Sequence, residues 1–230
     1  MQIQHKITDI FFDLDHTLWD FDQNSEIAFN RIFKEYHLQI DTKKFIEIYA
    51  PINQFYWKLY QVDSISHEEL RYKRLKDSFD SLNYSISDDE INQIAVDYIT
   101  FLPENNKLFD GAIAILEYLN AKYKLHIITN GFADVQYKKL KNSGIANYFI
   151  SVTNSEMAGV KKPHPSIYEY ALKNAKTKRE NSVMIGDCID ADVKGALDFG
   201  MNAIYFNEKK VQTSNTILQI HHLLELKKYL

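Results

Sequence analysis

A single cysteine, Cys188, stands in 230 residues, so no internal disulfide can form and a reducing, cytoplasmic setting is expected. Glycine is absent before Gly111, and of the four prolines only Pro51 and Pro103 precede that point. Glycine and proline punctuate turns, so the two parts of the chain are built differently. No apolar run approaches the roughly 20 residues that span a bilayer. The opening stretch "MQIQHKITDIFF" lacks a basic segment followed by an apolar one and a small-residue cleavage site, so no signal peptide is read. Positive charge is not in excess: the formal net charge is −4, and neither a nucleic-acid nor a membrane partner is expected. Internal repeats and low-complexity tracts are also lacking.

What is present is an ordinary globular composition, 45% hydrophobic and 25% charged. The length suits one large domain, or a core with a smaller companion. Residues 18–102 read as long helices. "SHEE" (Ser66–Glu69) and "SDDE" (Ser87–Glu90) are patterns in which a serine and a glutamate three residues on cap a helix reciprocally. Leu70, Leu75 and Phe79 then fall near one face, and Ile91, Ile94, Ala95, Tyr98 and Ile99 keep helical spacing. Two further helices are expected near 24–36 and 42–60. The remainder alternates. Strands are expected at 6–13, 124–129, 148–153, 182–187 and 202–206, with helices near 110–122, 133–142, 165–175 and 190–199. Such alternation implies a parallel sheet with helices on both faces. The expected fold is therefore α/β, with a Rossmann-like parallel-sheet core formed by residues 1–17 and 103–230. An all-helical, four-helix-bundle-like insertion, 18–102, follows the first strand.

Open α/β sheets bind ligands at the carboxyl ends of their strands. The first strand runs into "FFDLDHTL", with Asp13, Asp15 and Thr17. These acids either cap the following turn or form a reactive pair. The second ends in "TNG", Thr129 to Gly131, which is an N-cap and turn or an anion site made of a hydroxyl and free amides. After the third comes Lys162, whose backbone Pro163 biases toward extended; it is a solvated loop lysine or a fixed inward cation. The fourth ends in "GDCIDAD", where Asp187, Asp190 and Asp192 make either an acid-rich helix start or oxygen ligands for Mg²⁺.

A pair of carboxylates, a hydroxyl, a lysine and a third carboxylate thus occur in order, the pair and each of the others at a different strand end or just beyond. This set resembles the haloacid dehalogenase-like superfamily: "DLDHT" is similar to its first motif, Thr129 to its second, Lys162 to its third and "GDCIDAD" to its fourth. Within it, "DLDHTLWDF", "TNG" and "GVKKPHPSIY" look most like a branch of pyrimidine 5′-nucleotidases that clear non-standard nucleotides. The resemblance implies a Mg²⁺-dependent phosphomonoester hydrolase. Asp13 would be the nucleophile that forms an aspartyl-phosphate, and Asp15 the general acid and then base. Asp13, the backbone carbonyl of Asp15 and Asp187 would hold the metal, with Asp192 behind them on metal waters or on Lys162. Thr129, the Asn130 amide and Lys162 would bind phosphoryl oxygens, and residues 18–102 would be a mobile cap that chooses the substrate. The implied partner is a small phosphorylated metabolite, a pyrimidine nucleoside 5′-monophosphate, handled by a monomer or homodimer.

Rival readings keep the same core: a phosphoglycolate or sugar-phosphate phosphatase, a haloacid dehalogenase, or a non-catalytic binding protein. Asp15 argues against the dehalogenase, because protonating an alkoxide is phosphatase work. The presence of Asp13, Asp15 and Lys162 together argues against the non-catalytic protein. His16 is expected to face away from its acidic neighbours by strand alternation, and Cys188 to be a small buried residue. "FIEIYAPINQFYWKLY" is expected in the bundle core, and "HHLLELKK" as an amphipathic surface helix.

Overall fold

The computed structural model describes residues 6–213 and 216–230. The first five residues, part of the stretch read for a leader, lie outside that range. Contacts divide the chain into two compact units, Phe21–Asn106 and the pair Met1–Asp20 with Lys107–Leu230.

The helical unit contains α1 (Phe21–Glu35), α2 (Thr42–Gln61), α3 (His67–Ser81) and α4 (Asp88–Phe101). Both reciprocal caps form. Ser66 Oγ accepts from the Glu69 amide at 3.1 Å while the Ser66 amide donates to Glu69 Oε2 at 2.9 Å. Ser87 and Glu90 repeat this at 3.3 and 3.1 Å. A third cap, less plain in the sequence, is Asp41, which accepts from the Lys43 and Lys44 amides. Lacking glycine, the unit leaves α1, α2 and α3 through His37, Asp63 and Asn83, at φ of 55°, 56° and 53°. These residue types tolerate the left-handed region better than most. Aromatic rings fill the interior. Phe29 stacks on Tyr98 at 4.4 Å between ring centres and meets Phe45 and Tyr49 at 4.8 and 4.9 Å. Of the aromatic stretch expected in this core, Phe45, Tyr49 and Tyr56 are buried, but Phe55 stays exposed.

The second unit is a six-stranded, all-parallel sheet in the order β3-β2-β1-β4-β5-β6. Its strands are β1 (Asp9–Phe12), β2 (Lys124–Thr129), β3 (Phe149–Asn154), β4 (Ser182–Gly186), β5 (Asn202–Phe206) and β6 (Gln219–Ile220). The crossovers carry α5 (Ala112–Asn120), α6 (Ala133–Asn142), α7 (Ser155–Ala158), α8 (Pro165–Ala175) and α9 (Gly195–Phe199). Phe11, Ile128 and Met184 point from three neighbouring strands into one cluster with Ile167 and Tyr168 of α8 and Ala196 of α9. β1 lies between β2 and β4, so the chain crosses over on both sides of it. A crevice for ligands opens at such a place.

Three expectations need correction. β1 ends at Phe12, so Asp13 to His16 follow the strand rather than belong to it, and His16 sits at φ 61°. Strand alternation therefore does not orient these residues. The helix expected at 190–199 begins as a wide π-type turn, Ile189–Lys194, before α9. "HHLLELKK" forms a short 3₁₀ segment, Leu223–Lys228, that buries Leu223 and Leu226, rather than an amphipathic α-helix. Among the described residues no helix is long and apolar enough to cross a membrane.

Candidate active site

Four strand ends place the chemistry. Asp13, just past β1, still joins the ladder through its amide, which donates to Ile185 O of β4 at 2.9 Å. Its carboxylate accepts from Lys162 Nζ at 2.6 Å. That ammonium also donates to Asp192 Oδ1 at 2.6 Å and to Ile128 O of β2 at 2.8 Å, which uses all three of its protons. Lys162 is 2% exposed, so the sequence's alternative of a solvated loop lysine is excluded. Asn130 pins the lysine's backbone: its Oδ1 accepts from the Lys162 amide at 2.7 Å and its Nδ2 donates to the Lys162 carbonyl at 3.0 Å. Thr129, buried at the end of β2, accepts through Oγ1 from the Gly131 amide at 3.1 Å and so holds the turn.

After β4, Asp192 folds back over its own turn. Its Oδ2 accepts from the Cys188 amide at 3.0 Å. A β-carbon on Gly186 would lie 2.3 Å from that carboxylate, so glycine is needed there. Carboxylate oxygens of Asp13, Asp187 and Asp192 lie within 4.8 Å of one another. Thr17 Oγ1 is a long 3.4 Å from Asp187 Oδ1.

Burial and crowding decide the charge. Burial raises the Asp13 carboxyl from 3.8 to about 7, with Lys162 pulling it down and Asp192 pushing it up. Asp187 stands well above the ordinary carboxylate range, first through burial and then through Asp13 and Asp192. For Lys162, burial works against the charge, but Asp13 and Asp192 outweigh it and raise its pKa. Fully ionised, the three carboxylates and the one ammonium would carry two negative charges, which one divalent cation would balance. The donors are all oxygen, which suits a hard ion such as Mg²⁺. Burial lifts the Cys188 thiol to about 12, which leaves it a poor nucleophile.

Asp15 lies apart from that cluster. Its two oxygens accept from Lys139 Nζ at 2.6 Å and Gln136 Nε2 at 2.9 Å, both on α6. Lys139 is buried, with its ammonium 4.3 Å from the centre of the Trp19 ring. A β-carbon on Gly131 would fall 1.7 Å from Gln136 Nε2, so the glycine of "TNG" opens the path for this contact. Sequence reasoning missed Gln136 and Lys139. Their i, i+3 spacing just after "TNG" is the signal that would have found them. Asp190, by contrast, points outward to Lys194 at 2.8 Å and takes no part.

A parallel sheet with acids and a lysine at its strand ends defines a class of hydrolase, and comparison with known proteins agrees. The haloacid dehalogenase-like hydrolase model matches residues 9–200, and the chain belongs to that family. It is 29% identical to the pyrimidine 5′-nucleotidase YjjG of Escherichia coli, over 94% of this chain and 96% of that one. It is 32% identical to the pyrimidine 5′-nucleotidase PynA of Streptococcus pneumoniae, over 86% and 83%. A glyceraldehyde 3-phosphate phosphatase of Methanothermobacter thermautotrophicus is 31% identical, over 87% and 85%. Among solved structures, YfnB of Bacillus subtilis, bound to magnesium and reported to show interdomain movement, superposes with a TM-score of 0.86 at 25% identity over 97% and 98%.

Proposed function

We propose that this hydrolase cleaves phosphomonoesters through an aspartyl-phosphate on Asp13 and requires Mg²⁺. The buried constellation of Asp13, Lys162, Asp187 and Asp192 carries the reading. Asp13 and Asp187, with the Asp15 carbonyl, would hold the ion. When bound, it supplies positive charge that offsets the crowded carboxylates and orients the phosphate.

A carboxylate oxygen of Asp13 attacks phosphorus while the bond to the leaving oxygen breaks. Lys162, the Thr129 hydroxyl and the Asn130 amide meet the charge that spreads over the phosphoryl oxygens. Protonated Asp15 gives its proton to the departing alkoxide. Water then attacks the phosphorus, Asp15 takes one of its protons, and the bond to Asp13 breaks to release inorganic phosphate. Gln136 and Lys139 are placed to keep Asp15 oriented between the two steps.

The substrate favoured is a pyrimidine nucleoside 5′-monophosphate, on the strength of YjjG and PynA. A three-carbon phosphate is the second reading, because a glyceraldehyde 3-phosphate phosphatase is of similar identity. The helical unit is assigned the work of choosing between them. A screen of phosphate esters after EDTA dialysis, with and without added Mg²⁺, tests the proposal. Hydrolysis should vanish with the chelator and return with Mg²⁺, with uridine 5′-monophosphate preferred. Full activity in the chelated protein would overturn the metal assignment, and a much higher kcat/KM on glyceraldehyde 3-phosphate would overturn the substrate.

A further inference from the structure

The wide turn Ile189–Lys194 carries Asp192 to Lys162 and to the Cys188 amide. Its amides step back five residues rather than four: Val193 donates to Cys188 O at 3.3 Å, and Gly195 donates to Asp190 O. Turns of that width are rare, and they occur mostly singly and at functional sites. Support for this one comes from α8. Tyr168 is fully buried there, and its hydroxyl donates to the carbonyl of Ala191, the residue before Asp192. The ring stacks on Phe199 of α9 at 5.7 Å between ring centres and belongs to the cluster of Phe11 and Met184. A hydroxyl carried on a ring packed in this way is a fixed point against which the turn can rest.

Gly195, at the end of the turn, leaves room for that contact. A β-carbon there would fall 2.5 Å from the Tyr168 hydroxyl and 2.7 Å from the β-carbon of Pro163, the residue after Lys162. The glycine thus lets the hydroxyl reach the turn and lets the turn approach the lysine's own segment. A ring needed only for packing would be served by phenylalanine, which brings no buried hydroxyl to satisfy. We propose that Tyr168 is a positioning residue of the candidate site: through the Ala191 carbonyl its hydroxyl fixes the wide turn, and so holds Asp192 on Lys162 and keeps the acid cluster at the spacing a divalent cation needs. The consequence for a cation rests on the phosphatase reading; the hold on the turn does not.

The test uses two variants of the full chain. Tyr168→Phe removes one oxygen and keeps the ring, whereas Gly195→Ala keeps the hydroxyl and crowds it. Each is followed by calorimetric titration with Mg²⁺, by steady-state hydrolysis of p-nitrophenyl phosphate, and by hydrogen–deuterium exchange read on peptides. In both, the Kd for Mg²⁺ should rise about 10-fold, the low end for losing a group that supports metal ligands. At saturating Mg²⁺ kcat should fall by a similar factor with KM nearly unchanged. Exchange should quicken in the peptide covering 188–194 and stay at the parent's rate in α3. A hydroxyl that serves stability alone would lower Tm and leave Mg²⁺ affinity, kcat and exchange at the turn where they were, and that result would overturn the inference. If the parent neither binds Mg²⁺ nor hydrolyses the ester, the phosphatase reading falls and exchange decides alone. Faster exchange at 188–194 in Tyr168→Phe then keeps the hold on the turn, and unchanged exchange removes it.

Discussion

Lys162 spends its three protons on Asp13, Asp192 and the carbonyl of Ile128. A side chain so fully committed gains little freedom to move, so it is a preorganised charge beside Asp13, the proposed nucleophile. The sequence showed Lys162, Asp13 and Asp187 because acids and a lysine at successive strand ends are a rare ordered set. It did not show Gln136 and Lys139, since polar residues on a helix read as solvent-facing until the fold turns them inward. Their contact with Asp15 makes a prediction. Lys139→Met should lower kcat on uridine 5′-monophosphate by about 10- to 100-fold, within the range that general acid–base catalysis supplies, and should leave KM nearly unchanged. Lys139→Arg, which can still reach the carboxylate, should recover part of the loss. Steady-state kinetics on the two variants checks this, and wild-type kcat in Lys139→Met would show that Asp15 needs no such support.

At the level of elements, local chemistry was legible and distant chemistry was not. Both reciprocal caps were readable because serine, glutamate and the amides they satisfy all lie within four residues. α8 fills the expected 165–175, with proline in its first turn. The π-type turn after β4 was not readable. It depends on Asp192 reaching both the Cys188 amide and Lys162, and the lysine is 30 residues away. Extra-wide turns of this kind often mark functional sites. β6, two residues long, is too short for any pattern to announce.

The molecule as a whole buries more acid than base at one point, and this couples folding to pH and to metal. Burial raises Asp13 from 3.8 to about 7. Between those values the folded chain holds a proton that the unfolded chain has released, so raising the pH favours unfolding. Asp187, raised for the same reasons, acts in the same direction. In EDTA, therefore, Tm should fall as pH rises from about 4 to about 7, and the fall should shrink in Asp13→Asn. Mg²⁺ should stabilise the chain more above about pH 7 than below it, since the ion prefers the ionised carboxylates. Melting curves across that window, with and without Mg²⁺, check the sign; an equal effect of Mg²⁺ at both ends would place the ion away from these carboxylates.

The central claim is that Asp13 carries the phosphoryl group, and trapping that species tests it most directly. Asp15→Asn retains the backbone carbonyl but can neither protonate a leaving group nor activate water. With p-nitrophenyl phosphate, whose leaving group needs little protonation, the variant should release a burst of about one nitrophenolate per site and then stall. Acid quenching followed by mass spectrometry of the peptides should find the added phosphoryl group on Asp13. Steady turnover at the parent's rate with no burst, or a phosphoryl group on any other residue, would contradict the account.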